Sequence, residues 1–355
     1  MKPAAAAAAK PPVLAIARID GGRAVVADPA QGARLHAKGS VGELAPNGAL
    51  SLSLVEAALS VAEGRLALME GAKQLALADV LALGGGSGGG HRTEMEYLVY
   101  RDLRERGLVV RPVTDGRAPA GIGGGSGRFA VWPRGTSQGD PAFHAVACAD
   151  ADGLPVDVLA QAAADKSVLS VADADGAITH YQAALDAPAG DVPPGDLPRA
   201  KGAVLADRVL VSDPGAVAAY SSREFLGTRH GGDLFLSFVE AESLRLRGVL
   251  SVPPGLAARG EGARLLPVHV ALRNAGAVPK SGFKFGTHMR AYRNAPDDGH
   301  AEWLVHVADP DETLPWSALS RGVRLAHGVR KKFLVAIPGE AGHPPTFAQL
   351  SWYRP

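Results

Sequence analysis

The sequence is short of cysteine, aromatic residues and net charge, and each shortage removes a class of protein. Cys148 is the lone cysteine of 355 residues. That excludes an intramolecular disulfide and a multi-cysteine metal cluster, and a single thiol fits a reducing, cytoplasmic setting. Aromatics make up 5% of the chain against 46% hydrophobic residues overall, so the core must be mainly Ala, Val and Leu. The formal net charge is +1. Any nucleic-acid surface is therefore a local basic patch and not a global excess of charge. No stretch reaches about 18 uncharged apolar residues, so no transmembrane helix is expected. The opening MKPAAAAAAKPP is apolar but short and runs into Pro11-Pro12. Residues 1–11 read as a flexible tail or an artificial extension, not a signal peptide.

What the chain does have is length for two or three domains and a strong likeness between its halves. GSVGELAPNGALSLSLVEAALSVAEGRLAL is echoed by EFLGTRHGGDLFLSFVEAESLRLRGVL, with Val41-Gly42 matching Leu226-Gly227 and Glu56 matching Glu240. YLVYRDLRERGLVVRP is echoed by LLPVHVALRNAGAVPK, AVACADADG by LVHVADPDE, and DKSVLSVADADG by RKKFLVAIPGE. Four matches in one order point to a tandem duplication. Each copy reads as short strands and a helix, a second helix at 3.6-residue spacing stopped by Gly107 or Gly276, and a cluster of strands holding one more helix. The expected fold is α+β: a two-lobed unit written twice, the C-terminal lobe of each copy a mixed sheet with flanking helices. The boundaries expected are a first copy over 12–183, a linker rich in Pro, Asp and Gly over 184–198, and a second copy over 199–355 with lobes at 199–255 and 262–355. The runs GGGSGGG and GIGGGSG read as low-complexity loops. They lack the strand-to-helix context and the Lys-Ser/Thr of a phosphate-binding loop.

The chemistry concentrates in GFKFGTHMRAYRNAPDDGHAEWLVHV and SALSRGVRLAHGVRKKFLVAI. The motifs are Phe283-Lys284-Phe285-Gly286, Arg290-Ala291-Tyr292, His300 before Trp303-Leu304-Val305, and Val329-Arg330-Lys331. In this order they resemble the catalytic domain of the archaeal tRNA-intron (tRNA-splicing) endonucleases, and the likeness runs through nearly the whole chain after Pro12. The resemblance implies one strand ending in Arg290-Ala291-Tyr292, a second opened by His300, and a helix reading Val329-Arg330-Lys331. The resemblance implies a catalytic triad of Tyr292, His300 and Lys331, no cofactor and no metal, and a substrate of precursor tRNA folded as a bulge-helix-bulge. The expected products are a 2′,3′-cyclic phosphate and a 5′-OH, so DNA cannot serve as substrate.

The three residue types suit that reaction. A phenol titrates near about 10, so Tyr292 needs neighbouring cations such as Lys331 to act as general base on the 2′-OH. An imidazole titrates near neutrality, which suits His300 as general acid to the leaving 5′-oxygen. Lys331 supplies fixed positive charge to the transition-state phosphate oxygens. Lys332 is its rival by proximity, and the repeat alignment favours Lys331 by placing Lys166 opposite it. The departures from the family pattern are Ala301 where Ser is frequent, and His288 where an acidic residue is frequent. His327 reads as structural or as a backbone contact.

In the first copy Trp132 stands opposite Tyr292, and Pro141 opposite His300 with His144 displaced, so that copy reads as non-catalytic. The resemblance then implies a homodimer of two-copy chains. It also implies an acidic docking loop, here Asp173-Ala174-Asp175-Gly176, and a stacking pair for a bulged base: Arg324 with Trp352 or Phe347. Arg290 and, less specifically, Arg293, Arg321 and Arg330 are candidate phosphate contacts. Two other functions stand beside this one: a non-catalytic subunit of a splicing complex, and a metal-dependent nuclease, which needs clustered carboxylates that are not seen around Lys331.

Overall fold

The structure, a computed structural model, describes residues 13–84, 89–113, 127–136, 139–258, 260–340 and 343–355. The tail expected at 1–11 and most of both glycine runs lie outside them. Gly89 and Gly90 are an exception: they open the helix Gly89–Glu105 and do not belong to a loop. The architecture is mixed α+β, with helices set against several sheets.

The chain divides into two compact units, the first formed by residues up to Asp152 with Val168–His180, the second by Gly153–Ser167 with Tyr181–Arg354. In the first unit a six-stranded sheet is built on Ala15–Asp20, which pairs antiparallel with Arg23–Val26 and parallel with Leu66–Glu70. The helices Pro29–Gly39 and Leu54–Ala62 accompany it, and the strands Val109–Pro112, Arg128–Trp132, Phe143–Ala149 and Val168–Ala172 form a second sheet.

The second unit opens with a small antiparallel sheet whose main strands are Arg208–Val211 and Asp233–Ser237. Two helices, Pro214–Arg223 and Phe238–Leu246, go with it. The helix Gly262–Asn274 leads into the larger sheet, ordered Val278–Ser281, Met289–Tyr292, Trp303–Val307, Lys332–Ile337, Thr346–Tyr353. Trp303–Val307 and Lys332–Ile337 run parallel, and the helix Trp316–Gly328 makes the crossover that parallel strands require. Sandwiched between helix layers, Lys332–Ile337 carries the unbroken apolar run FLVAI in place of an alternating pattern. One face of this sheet packs Val305, Leu334 and Ala336 against Val268 and Leu272 of the helix Gly262–Asn274.

The local reasons for these elements recur in the two units. Asp28 and Asp213 cap helices that begin with Pro29 and Pro214, whose fixed φ and missing N–H suit a first turn. Ser53 with Glu56, and Ser237 with Glu240, form capping boxes. The carboxylate of each box also accepts the N–H of a left-handed glycine, Gly42 at 2.8 Å and Gly227 at 2.9 Å. Glu56 and Glu240, matched in the sequence, therefore do the same structural work.

One local expectation is corrected. Gly282–Gly286 is not strand: Phe283–Phe285 forms a single 3-10 turn closed by left-handed Gly286, so the segment is the bend of a hairpin pairing Val278 with Tyr292. Residues 184–198, expected as the linker, are held by hydrogen bonds. Gly190, Asp191 and Val192 donate backbone hydrogen bonds to Ala275, Arg293 and Gly276, and Asp186 takes the Lys332 ammonium at 3.1 Å.

Candidate active site

Tyr292, His300 and Lys331 line one open concavity of about 440 Å³ in the second unit. Each arrives by a different route. Tyr292 ends the strand Met289–Tyr292 and is buried with Val278 and Ala301 in a small apolar cluster. His300 is exposed in the approach to Trp303–Val307, after a short 3-10 turn at Pro296–Asp298. Lys331 follows the helix Trp316–Gly328 but is not part of it. The helix ends at Gly328, Arg330 takes a left-handed φ of +55°, and the Lys331 N–H closes the turn on the Ala326 carbonyl. The expectation of a helical Val-Arg-Lys is thus corrected. The left-handed step redirects the chain, and the lysine side chain enters the concavity from the turn.

The site is tied together by contacts to backbone. The Lys331 ammonium donates to the carbonyl of Ala301, the residue after His300, at 2.6 Å. Burial, and then the positive charge of Arg290, hold its pKa below the usual lysine range. The Arg290 guanidinium lies 5.6 Å from the centroid of the Tyr292 ring. Arg290, expected as a phosphate contact, therefore lies beside the Tyr292 ring, and its charge is felt by Lys331, although it does not itself line the concavity. Lys332 is excluded from the concavity: its ammonium is taken by Asp186 at 3.1 Å and lies 3.8 Å from Glu302. Among the described residues no group of three or more His, Cys, Asp or Glu side chains gathers as a metal site.

The other expected residues fall into two sets. Arg321, Arg324 and Arg330 are exposed along the same helix and turn, with no ion-pair partner among the described residues. Arg293 is already engaged, by Glu302 at 2.8 Å. Of the two stacking candidates, Trp352 is 49% exposed and meets His327 of the Arg324 helix edge-on at 6.2 Å. Phe347 stands opposite Ala336 and packs into the core on the face covered by the helix Gly262–Asn274. Trp352 and not Phe347 thus lies beside the helix that carries Arg324, and the guanidinium found 5.7 Å from its ring centroid is that of Arg354. His327 is exposed at this rim.

In the first half of the chain, the turn after the helix Val156–Ala164 repeats the one before Lys332. Lys166 has φ +53° and Ser167 N–H donates to Ala162, as Arg330 has φ +55° and Lys331 N–H donates to Ala326. The expected match of Lys166 with Lys331 is therefore off by one: Lys166 corresponds to Arg330, and Lys331's counterpart is buried Ser167. In the acidic loop, Asp173 accepts the N–H groups of Asp175 and Ala177 at 3.0 and 2.9 Å. Its carboxylate holds its own turn, and Asp175 is the one exposed without such a duty.

The sequence reading missed the Ala301 carbonyl, which no side-chain pattern encodes, and Val192 and Phe225, which pack against the Tyr292 cluster. Phe225 did have a signal: its place before Leu226-Gly227 answers to Ser40 before Val41-Gly42.

The residues that line the concavity all lie within a segment that a known family matches. The family described as "tRNA intron endonuclease, catalytic C-terminal domain" matches residues 263–343. A tRNA-splicing endonuclease of Natronomonas pharaonis is 38% identical over 316 residues, covering 82% of this chain and 87% of that protein. Proteins of the same name from Halobacterium salinarum and Methanosarcina mazei are 39% identical over 264 residues (68% and 73% covered) and 32% identical over 332 residues (86% and 90% covered).

Proposed function

The chain belongs to the archaeal tRNA-splicing endonuclease family, and from that premise we propose that it excises introns from precursor tRNA at a bulge-helix-bulge, without a metal ion. The observation that carries this is the meeting of Tyr292, His300 and Lys331 in one concavity. In the proposed reaction Tyr292 takes the proton of the 2′-OH, the freed oxygen attacks the adjacent phosphorus, and the P–O5′ bond breaks as His300 gives its proton to the leaving oxygen. The products are a 2′,3′-cyclic phosphate and a 5′-OH. Lys331, protonated and preorganised on the Ala301 carbonyl, stabilises the charge gathering on the non-bridging oxygens. Arg324 and Trp352 would hold an unpaired base between guanidinium and indole. The test is incubation of the chain with a bulge-helix-bulge RNA in excess EDTA, with product ends mapped. Cleavage with cyclic phosphate ends is expected. Activity that vanishes in EDTA and returns with a divalent ion would make it a metal nuclease, and binding without cleavage would make it a structural subunit.

The reading extends to organisation and assembly. The chain is proposed to be a duplication, 12–183 and 199–355 about the segment 184–198, supported by the repeated Asp-Pro caps, capping boxes and post-helix turns. Two chains would pair as a homodimer, matching the two scissile sites of the substrate. Asp175 would dock on a basic surface of the partner chain. Because Asp173 stabilises its own turn, the informative variant is Asp175→Lys alone. Light scattering and cleavage on one sample are expected to show a weaker dimer and less cleavage. A fully active dimeric Asp175→Lys would remove the docking role.

A further inference from the structure

We infer that Val192 and Phe225, both outside the matched catalytic segment 263–343, are positioning residues for cleavage: they form the floor that sets Tyr292 and Ala301 in place. This rests on the reading of Tyr292 as general base.

Phe225 has a φ of +55°, a left-handed conformation that bulky side chains rarely adopt. The turn alone does not explain the choice of residue. The corresponding turn of the first unit, after the helix Pro29–Gly39, is made by Ser40 with φ +49°. A small polar residue therefore suffices there, in the half with no tyrosine at the matching position. In the second unit a phenylalanine is kept in the unfavourable conformation, and its side chain packs against the cluster of Val278, Tyr292 and Ala301. An outlier of this kind persists where its surroundings over-determine it.

The surroundings of Phe225 do so. The preceding residue, Glu224, is 1% exposed and accepts from Arg247 at 2.6 and 2.7 Å and from Arg273 at 3.2 Å. The Lys280 ammonium donates to the carbonyls of Phe225 and Gly227, each at 2.8 Å. Arg273 also donates to the Ala277 carbonyl at 2.7 Å, at the start of the strand that pairs Val278 with Tyr292. One ionic network thus fixes both the turn and the strand beside it.

Val192 reaches the same cluster from the segment before the second unit's small sheet. That strap is set closely: Asp191 N–H donates to the carbonyl of Arg293, the residue after Tyr292, at 2.8 Å. A Cβ on Gly190 would lie 2.5 Å from the carbonyl oxygens of Arg293 and Gly276. Because the Ala301 carbonyl holds Lys331, a shift of this floor moves the phenol and the ammonium together.

The experiment uses the full chain and a bulge-helix-bulge RNA, with single-turnover rate, RNA affinity and melting measured for Phe225→Gly and Val192→Ala, each alone and with Tyr292→Phe. Glycine suits a left-handed residue, so Phe225→Gly removes the ring without harming the turn. It is expected to slow the chemical step by about 10- to 100-fold, as small misplacements do, with affinity held within about twofold. Phe225→Leu should recover part of the rate. In the Tyr292→Phe background, Phe225→Gly should cost distinctly less, because only the part of its effect that passes through Ala301 and Lys331 remains. An unchanged rate for Phe225→Gly, or an equal loss in both backgrounds, overturns the inference. If Phe225→Gly fails to melt cooperatively, Val192→Ala, a smaller truncation, carries the same comparison. A fully active Tyr292→Phe overturns the premise and the inference with it, and is told apart because it appears before Phe225 is touched.

Discussion

An RNA carrying 2′-H in place of 2′-OH at the cleavage nucleotide is expected to bind normally and not to be cut. The reason lies in what the concavity offers. Its residues include a phenol, an imidazole and an ammonium, which can move two protons and stabilise one developing charge. The nucleophile in the proposed reaction is the substrate's own hydroxyl, so removing it leaves no group to attack phosphorus. Affinity should survive because it comes from phosphate contacts and base stacking, for which Arg321, Arg324, Arg330 and Trp352 are exposed. The check is a pair of substrates differing in that one atom, with binding and single-turnover cleavage measured side by side. Efficient cutting of the deoxy substrate, or products with 3′-OH and 5′-phosphate ends, would refute the mechanism.

Lys331→Ala is expected to lower the single-turnover rate by about 10²- to 10⁴-fold, the usual cost of one preorganised charge or proton-transfer group. Tyr292→Phe and His300→Ala should fall in the same range. Lys332→Ala is the control, since that ammonium is spent on Asp186 and Glu302 and should leave the rate nearly unchanged. The pH dependence adds a second readout. Burial and Arg290 lower the Lys331 pKa, so its proton is lost, and with it the stabilising charge, at a lower pH than for a free lysine. The alkaline fall in rate should therefore come early. Removing a positive neighbour raises a lysine pKa, so Arg290→Gln should move that fall to higher pH. A normal rate in Lys331→Ala with an inactive Lys332→Ala would show that the wrong lysine had been chosen.

The sequence by itself determined the parts of this protein that are written in side-chain order. The match of Glu56 with Glu240 and the glycine stops at Gly107 and Gly276 are local chemistry, legible wherever the residues stand. Tyr292, His300 and Lys331 were legible because their order and spacing match a family pattern. What only the tertiary structure supplied is the way Lys331 enters the concavity: a left-handed Arg330 turns the chain after the helix has ended. The tertiary structure also separated Trp352 from Phe347. Residues 347 and 352 lie on opposite faces of one strand, and which face meets which helix is fixed only when the sheet is packed. The one-residue error at Lys166 has the same origin, since Ala/Val-rich segments align equally well one step apart and only the backbone hydrogen bonds of the two turns distinguish the registers. The floor beneath Tyr292 was out of reach for a different reason: Val192 and Phe225 are ordinary apolar residues far away in the chain, and what makes them part of the site is proximity, which a linear sequence does not record.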